Sequence, residues 1–289
     1  MKRNLIAFSA SNNQTGNRDN PMSATSVFIV DTHAHVFHRG LPFVPSRRFT
    51  PDYDASIDAY IAELDANRIA KGVLVAVSIL GNDNAYLLEG LRAHPERLRG
   101  VVAIDPASDL RLFDEFEAAG VVGVRVNLTG NLPVPSFASG AWAEAVAECV
   151  RRNWHIEIND RCARLHESLA PLVEAGAKVV VDHFGMPERQ PGMEDEGFER
   201  LLGFAPSRQV WVKLSGAYRT SPEIARAAAP RLCQAFGAGR LMWASDWPFT
   251  QHEASQSYRA QVGAIADWIP DVAERATVLG ETPRELFRF

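Results

Sequence analysis

Three histidines and an aspartate, each at the end of an apolar run, are the strongest candidates for chemistry in this sequence. His33 and His35 are separated by one residue and follow the first such run. Alternate side chains of a β-strand point to the same face, so both imidazoles could contact one ion or one substrate. His183 and Asp246 close two further runs. Imidazole and carboxylate groups act as general bases and as metal ligands, so the four residues together predict a catalytic site.

Eight short apolar runs, separated by helix-compatible segments, would position these side chains. Their β-branched residues lack a regular polar alternation, which is typical of parallel strands covered on both faces. Eight β-α units predict an α/β fold, a (β/α)8 TIM barrel. An open doubly wound sheet is the alternative, but no glycine-rich dinucleotide motif follows the first run. The runs are 27–31, 72–78, 100–105, 121–128, 154–160, 178–183, 210–215 and 241–246.

The segments between the runs carry helix-start and loop signals. Asp54 or Ser56 could cap the first helix, and Ser221 before Pro222 predicts the start of a later one. Stretches rich in Pro and Gly follow the first, fourth and sixth runs and predict long loops. In a barrel these loops lie at the carboxyl ends of the strands, where active sites are found. The stretches are 40–53, 129–140 and 185–197.

Length and composition predict one ordinary globular domain. We expect a single catalytic barrel over residues 27–289, preceded by a flexible extension over residues 1–26. The formal net charge of −5 and the lack of a long Lys/Arg cluster argue against nucleic-acid binding. No apolar run has the length of a membrane span. The cysteines, which lack CxxC spacing, favour a reducing, cytoplasmic setting; they are Cys149, Cys162 and Cys233.

Seven segments of the chain carry a resemblance to a known family. Together they resemble the amidohydrolase superfamily (amidohydrolase-related family 2), and within it the branch of 2-pyrone-4,6-dicarboxylate lactonase-like hydrolases. The resemblance covers residues from about 27 to 289, and it implies the amidohydrolase type of barrel. The segments are DTHAHVF, LVAVSILGNDNAYLL, GVRVNL, VVVDHFGMP, VWVKLSGAYR, LMWASDWPFT and ETPRELFRF.

The resemblance implies a role for each candidate residue. Asp246 would be the general base that activates water, and His33, His35 and His183 would line the reacting carbonyl. The implied substrate is a small anionic lactone from aromatic or sugar-acid catabolism. A guanidinium can bind a carboxylate through two parallel hydrogen bonds, which suits such a substrate. The groups implied to bind its carboxylates are Ser78, Arg125 and Arg219.

Two positions depart from the pattern of the branch. The branch has a further arginine in the loop after the fourth strand, where this chain reads NLTGNLPVPS without a basic residue. It also has a tyrosine on the fifth strand, near the position where this chain has Asn159. We therefore expect the opening of a carboxylated lactone, with the pyrone dicarboxylate itself as one of several candidate substrates.

The resemblance leaves two cofactor hypotheses. Many members of the superfamily bind a divalent metal, usually zinc, through the paired histidines and the last aspartate. The branch most similar to this chain implies a reaction without a metal, in which histidines stabilise the oxyanion of an activated ester. The alternative is one zinc ion held by His33, His35 and Asp246, with Glu157 as a candidate fourth ligand. The fixed charge of Arg125 opposes a second metal ion.

Two other functions are compatible with the same barrel. The first is zinc-dependent, non-oxidative decarboxylation of an aromatic or muconate-type acid. It would use a histidine of the fifth strand as a ligand, and His155 lies too far from the strand end for this. The second is a binding protein without catalysis. Four polar strand-end residues argue against it, since such a barrel could have apolar residues there. The sequence does not fix the oligomeric state, and a homo-oligomer is compatible with it.

Overall fold

A computed structural model describes residues 28–188 and 195–289, and the expected 1–26 extension lies outside them. Eight parallel strands form one sheet in the order β1 to β8, so the predicted barrel is confirmed. The observed strands are shorter than most of the predicted runs because the polar ends leave the sheet as turns. The strands are β1 (Val30–Ala34), β2 (Lys71–Val75), β3 (Leu98–Val102), β4 (Val121–Asn127), β5 (His155–Asn159), β6 (Lys178–Val181), β7 (Val210–Leu214) and β8 (Leu241–Trp243).

Hydrogen bonds between the first strand and the segment around the last one close the barrel. The backbone N–H of His35 donates to the carbonyl of Trp247 at 2.8 Å, and that of Asp246 donates to the carbonyl of His33 at 3.0 Å. The Thr32 hydroxyl donates to the carbonyl of Trp243 at 2.9 Å. The closure therefore places the paired histidines directly beside Asp246.

Helices cover the outside of the sheet, and two of the predicted helix starts are confirmed. The Ser56 side chain accepts a hydrogen bond from the N–H of Ala59, and Ser221 caps the helix that begins at Pro222. Such caps satisfy N–H groups that have no partner within the helix. The helices are α1 (Ile57–Ala66), α2 (Ala85–Ala93), α3 (Phe113–Ala118), α4 (Gly140–Arg151), α5 (Cys162–Glu174), α6 (Glu196–Leu202), α7 (Pro222–Phe236), α8 (Tyr258–Trp268), α9 (Val272–Ala276) and α10 (Thr282–Phe287).

The apolar core consists of two clusters. The larger one packs the helices against the outside of the sheet. The smaller one joins valines of several strands to Leu286 and Phe287 of α10. The Phe287 ring also contacts the ring of His155 at the start of β5, with centroids 5.2 Å apart. Helix α10 therefore closes the amino-terminal end of the barrel and leaves the carboxyl-terminal end for the site.

Two further expectations concern the cysteines and membranes. All three cysteines are free; Cys149 and Cys162 are buried and Cys233 is partly buried. Within the described part of the chain, no helix combines the length and the apolar character needed to cross a bilayer. The free cysteines agree with the reduced state that their spacing in the sequence predicts.

Candidate active site

The structure brings the four strand-end residues together at the carboxyl-terminal mouth of the barrel. Nε2 of His33 lies 3.2 Å from Nε2 of His35. The ring centroids of His33 and His183 are 5.1 Å apart, and Nδ1 of His183 lies 4.0 Å from Oδ2 of Asp246. All four side chains are buried. Residues distant in sequence thus form one compact group.

Backbone conformation at the strand ends aims these side chains into the mouth. His183 and Asp246 have φ values of 51° and 63°, in the left-handed region that non-glycine residues adopt infrequently. Gly216 has a φ of 58° and faces both residues. A Cβ atom at this position would lie 2.9 Å from Oδ2 of Asp246 and 2.9 Å from Nδ1 of His183. A side chain at position 216 would therefore displace the site.

The hydrogen bonds of His35 determine which of its nitrogens carries the proton. Nδ1 of His35 lies 2.7 Å from the carbonyl oxygen of Val75, which can only accept, so Nδ1 is the donor. Burial, the positive charge of His33 and that of Arg125 hold the pKa of His35 well below its usual range, so the ring is neutral. Its Nε2 therefore presents a lone pair, and His33 donates from its own Nε2.

Charged residues beneath His33 keep it as a proton donor. Nδ1 of His33 lies 3.2 Å from Oδ1 of Asp182 and 3.3 Å from Oε1 of Glu157. Burial and the nearby Lys213 ammonium lower the pKa of His33, but the two carboxylates outweigh them and the pKa lies above its usual value. A protonated His33 can donate from Nε2 towards the mouth while its other nitrogen binds the carboxylates.

Lys213 lies at the centre of this buried network. Its ammonium contacts Oε2 of Glu157 and lies 3.0 Å from Nδ1 of His33 and 3.4 Å from Oδ1 of Asp182. The side chains of Lys213, Glu157 and Asp182 are fully buried. The opposite charges offset the cost of removing each one from water. The network fixes the ring of His33 from below.

Asp246 has one oxygen held by the protein and one that is free. Oδ2 accepts hydrogen bonds from the Tyr218 hydroxyl at 2.7 Å and from Nε of Arg219 at 2.5 Å. Oδ1 is buried and has no hydrogen-bond donor among the described residues. Burial raises the pKa of Asp246, but Arg219, His183 and His33 outweigh it, so the carboxyl pKa lies far below its usual range. The group is ionised at neutral pH, with Oδ1 able to accept a proton.

A pocket above these residues contains the three positions expected to bind carboxylates. Arg125 also pairs with Asp182, with Nη2 3.1 Å from Oδ2, and Arg219 pairs with Asp246. Both guanidinium groups are thus held in place by buried carboxylates while they face the pocket. The lining residues are His35, Arg48, Phe49, Val77, Ser78, Arg125, Asn127, Asn159, His183, Arg219, Thr250 and Gln251.

Several residues of the site were missed by the sequence reasoning. Lys213 interrupts an otherwise apolar strand, and Asp182 directly precedes His183; both positions were signals of a buried ionic network. Tyr218 lies between two predicted features, the turn after β7 and Arg219. Arg48 lies in a long loop, where the sequence pattern offers no signal of its direction.

Two groups of side chains have the ligand geometry of a metal site. His33, His35 and Asp246 form one, and His33, Asp182 and His183 form the other; in each, the ligand atoms lie within 4.8 Å of one another. The lone pair of His35 Nε2 and the free Oδ1 of Asp246 fit a divalent cation in the first group. Glu157 belongs to neither group, since its oxygens contact Lys213 and Nδ1 of His33.

The fold and the site together define a class of barrel hydrolases. Members of this class have an eight-stranded parallel barrel, with histidines after the first and sixth strands and an aspartate after the eighth. The family model described as amidohydrolase matches residues 30–289. The chain belongs to the amidohydrolase family.

Within this family, the chain is similar to hydrolases of lactones. It is 29% identical over 274 residues to a 4-sulfomuconolactone hydrolase of Rhizobium radiobacter, covering 89% of each chain. It is also 29% identical over 282 residues to a 2-pyrone-4,6-dicarboxylate hydrolase of Comamonas testosteroni, again covering 89% of each. A solved structure from Acinetobacter baumannii, described as a probable 2-pyrone-4,6-dicarboxylic acid hydrolase with citric acid bound, has a TM-score of 0.86. It is 33% identical, covering 90% of this chain and 99% of that one.

Proposed function

We propose that this protein is a hydrolase that opens a small carboxylated lactone by attack of water on the ring carbonyl. The observation that carries the proposal is the carboxylate of Asp246, whose Oδ2 is held by Tyr218 and Arg219 while Oδ1 is free. An ionised, oriented carboxylate beside three histidines suits general base catalysis on water. The similarity to two lactone hydrolases supports the same reaction class.

The pocket suits a substrate with acid groups. Arg125 and Arg219 each keep N–H groups that their internal carboxylate partners do not use, and Ser78 adds a hydroxyl. A substrate carboxylate can accept two parallel hydrogen bonds from such a guanidinium. We propose these three residues as the binding groups for the carboxylates of the lactone.

Binding of the substrate would also strengthen the base. The positive charge of Arg219 is the main interaction that lowers the pKa of Asp246. A substrate carboxylate on Arg219 would partly neutralise that charge, so the pKa of Asp246 would rise in the complex. Asp246 would then be a better proton acceptor when the lactone is present than when the site holds only water.

The residues of the site supply the proton acceptor and the hydrogen-bond donor that the hydrolysis needs. Water gives a proton to Oδ1 of Asp246 as its oxygen attacks the carbonyl carbon, and Nε2 of His33 turns its proton from His35 to the developing oxyanion. The ring C–O bond then breaks, and the leaving oxygen takes up a proton. The protonated Oδ1 of Asp246 is the candidate for its delivery, since it holds the proton taken from water, and His183 lies beside Asp246 as a neutral ring because burial lowers its pKa to about 4. The product is an open-chain acid.

The same residues fit one divalent metal ion. His33, His35 and Asp246 would hold it once His33 releases the proton of Nε2, and zinc suits this set of nitrogen and oxygen donors. When bound, such an ion would polarise the carbonyl and lower the pKa of water. The roles proposed for Arg125, Arg219 and Ser78 do not depend on it.

Decarboxylation receives less support from the structure. A strand-five histidine ligand would distinguish that reaction, and His155 lies at the start of β5, against Phe287 at the closed end of the barrel. It belongs to neither of the candidate ligand groups. We also propose a cytoplasmic location for the protein, because Cys149 and Cys162 are free thiols.

The test is a panel of lactones assayed by proton release, with metal content measured on the same sample. The panel would include pyrone carboxylates, muconolactone-type acids and neutral lactones. We expect hydrolysis of lactones that carry at least one ring carboxylate and little hydrolysis of neutral ones. Release of carbon dioxide from an aromatic acid, with no lactone opened, would contradict the proposal and favour the decarboxylase.

A further inference from the structure

A third guanidinium lies in the pocket beside the two already described. Arg48 belongs to the long loop between β1 and α1 and lines the same pocket as Arg125 and Arg219. The other two arginines pair with Asp182 and Asp246. No carboxylate of the described residues lies within 4.0 Å of the Arg48 guanidinium, so its charge lacks the internal partner that the others have.

The stem of Arg48 reaches the pocket beside the loop after β4. Gly130 in that loop has a φ of 89°, and a Cβ atom there would lie 3.8 Å from Cδ of Arg48. The segment 127–136 contains no basic residue. This side of the mouth therefore receives its positive charge from the β1–α1 loop, whose arginine stem packs beside position 130.

The three arginines are close enough to affect one another. Arg48 is exposed, yet its contact with the protein and the charges of Arg125 and Arg219 lower its pKa, although the group stays protonated. Like charges that converge on one pocket repel each other unless an anion binds between them. The two internal carboxylates offset Arg125 and Arg219, and the charge of Arg48 remains for a ligand.

We propose that Arg48 is a specificity-determining residue that binds a second acid group of the substrate, away from the ring carbonyl that reacts. The inference rests on the proposed function, and it assigns recognition of the second acid group to a residue of the β1–α1 loop. A dicarboxylate would contact Arg48 with one group and the Arg125–Arg219 side of the pocket with the other. A monocarboxylate would satisfy only one of these sites.

The sequence offers a matched control in the neighbouring residue. Arg47 donates from Nε to the Thr50 hydroxyl at 2.7 Å and from Nη1 to the Val44 carbonyl at 3.0 Å. It is absent from the residues that line the pocket. Arg47→Met therefore removes the same charge from the same loop without removing a residue that lines the pocket.

The experiment measures binding of isophthalate and of benzoate to the full chain by calorimetry or competition. Neither is a lactone, so the result does not depend on turnover. In Arg48→Met we expect the affinity for isophthalate to fall by about tenfold or more, the usual effect of losing a charged contact of over 1 kcal/mol. Benzoate affinity should change by less than about threefold, a difference below 1 kcal/mol. Arg48→Lys should recover part of the loss, and Arg47→Met should match the wild type.

The outcomes separate this inference from the proposed reaction. Three results would overturn the role of Arg48. They are an equal loss of affinity for both ligands in Arg48→Met, no loss of affinity for either ligand, and a wild type that does not prefer isophthalate. A selective loss of isophthalate binding in a protein that opens no lactone would retain the dianion site and overturn the proposed hydrolysis instead. Thermal unfolding of each variant shows whether Arg48→Met retains the fold, and Arg48→Lys tests the same contact if it does not.

Discussion

Arg219 donates from Nε to Oδ2 of Asp246 at 2.5 Å, and the contact leaves Oδ1 of the same carboxylate without a donor among the described residues. The guanidinium orients the carboxylate and also lowers its pKa. One arginine therefore has two proposed tasks, since it also lines the pocket where a substrate carboxylate would bind. Each task predicts its own kinetic effect.

Arg219→Met should change substrate binding and pH dependence together. Loss of a buried charged contact should raise KM by an amount equivalent to about 2–5 kcal/mol. Loss of the positive charge should also raise the pKa of Asp246, so the acidic limb of the kcat/KM profile should move to higher pH. Steady-state kinetics between pH 4 and 9 would measure both effects.

The control for this variant is Arg231→Met on α7. Arg231 forms a partly exposed ion pair with Glu199, and such pairs contribute little. An Arg219→Met enzyme with wild-type KM and an unmoved acidic limb would assign Arg219 to the fold alone.

Lys213→Met should destabilise the barrel. The substitution leaves Glu157 and Asp182 buried beside each other without the ammonium between them. Removing one partner of a buried ion pair costs about 3–5 kcal/mol. Chemical denaturation of the variant would measure this loss. The double variant Lys213→Met with Glu157→Gln should recover part of it, because one of the unpaired charges is removed.

Comparison of the two single variants with the double variant tests this role of Lys213. Losses of unfolding free energy that simply add would contradict it. Residues that share a buried network have coupled effects on stability, whereas independent residues add. A double variant as unstable as the sum of the two single ones would show that Lys213 and Glu157 do not stabilise each other.

The stability of the protein should fall below neutral pH, partly because of His183. Burial lowers its pKa from the usual 6.5 to about 4, so the folded state keeps the ring neutral where the unfolded chain binds a proton. Stability is then lost as pH falls from about 6.5 towards 4, by about 2–3 kcal/mol at pH 4.5 for this group.

Denaturation at pH 7 and at pH 4.5 would test this assignment in His183→Gln. The difference between the two free energies of unfolding should be smaller in the variant than in the wild type. His94→Gln, a substitution after α2 and outside the site, is the control. An equal pH dependence in His183→Gln and the wild type would mean that other groups cause the loss.

Much of the fold followed from the sequence because its signals are local. The apolar runs and the caps at Ser56 and Ser221 depend on neighbouring residues, and all appear in the structure. The convergence of His33 and Asp246 followed from the barrel, since strand ends of such a fold meet at one mouth. The carboxyl bounds of seven strands were predicted too long because polar strand-end residues turn into the site, whereas β1 continues to Ala34, past its predicted end at residue 31.

The ionic network and Arg48 could not be predicted in the same way. Lys213 and Glu157 meet across the interior of the barrel, and their contact depends on the register of β5 and β7, which the sequence does not encode locally. The direction of Arg48 depends on the course of a long loop and on its packing beside the loop after β4. Such contacts are tertiary, and local sequence signals do not predict them.

The proposal depends most directly on Asp246 as the base. Asp246→Asn keeps the size and shape of the side chain and removes the oxygen that would accept the proton of water. The amide can still accept hydrogen bonds from Tyr218 and Arg219 through its own oxygen, so the fold should be retained. Thermal unfolding and metal content of the purified variant would serve as controls for fold and composition.

The decisive measurement is kcat of Asp246→Asn on the best lactone of the panel, followed by proton release across pH 5–9. We expect kcat to fall by about two powers of ten or more at each pH, the usual contribution of a general base. If the variant keeps nearly the full kcat and an unchanged pH profile, the base is another residue, and His183 is the first to test.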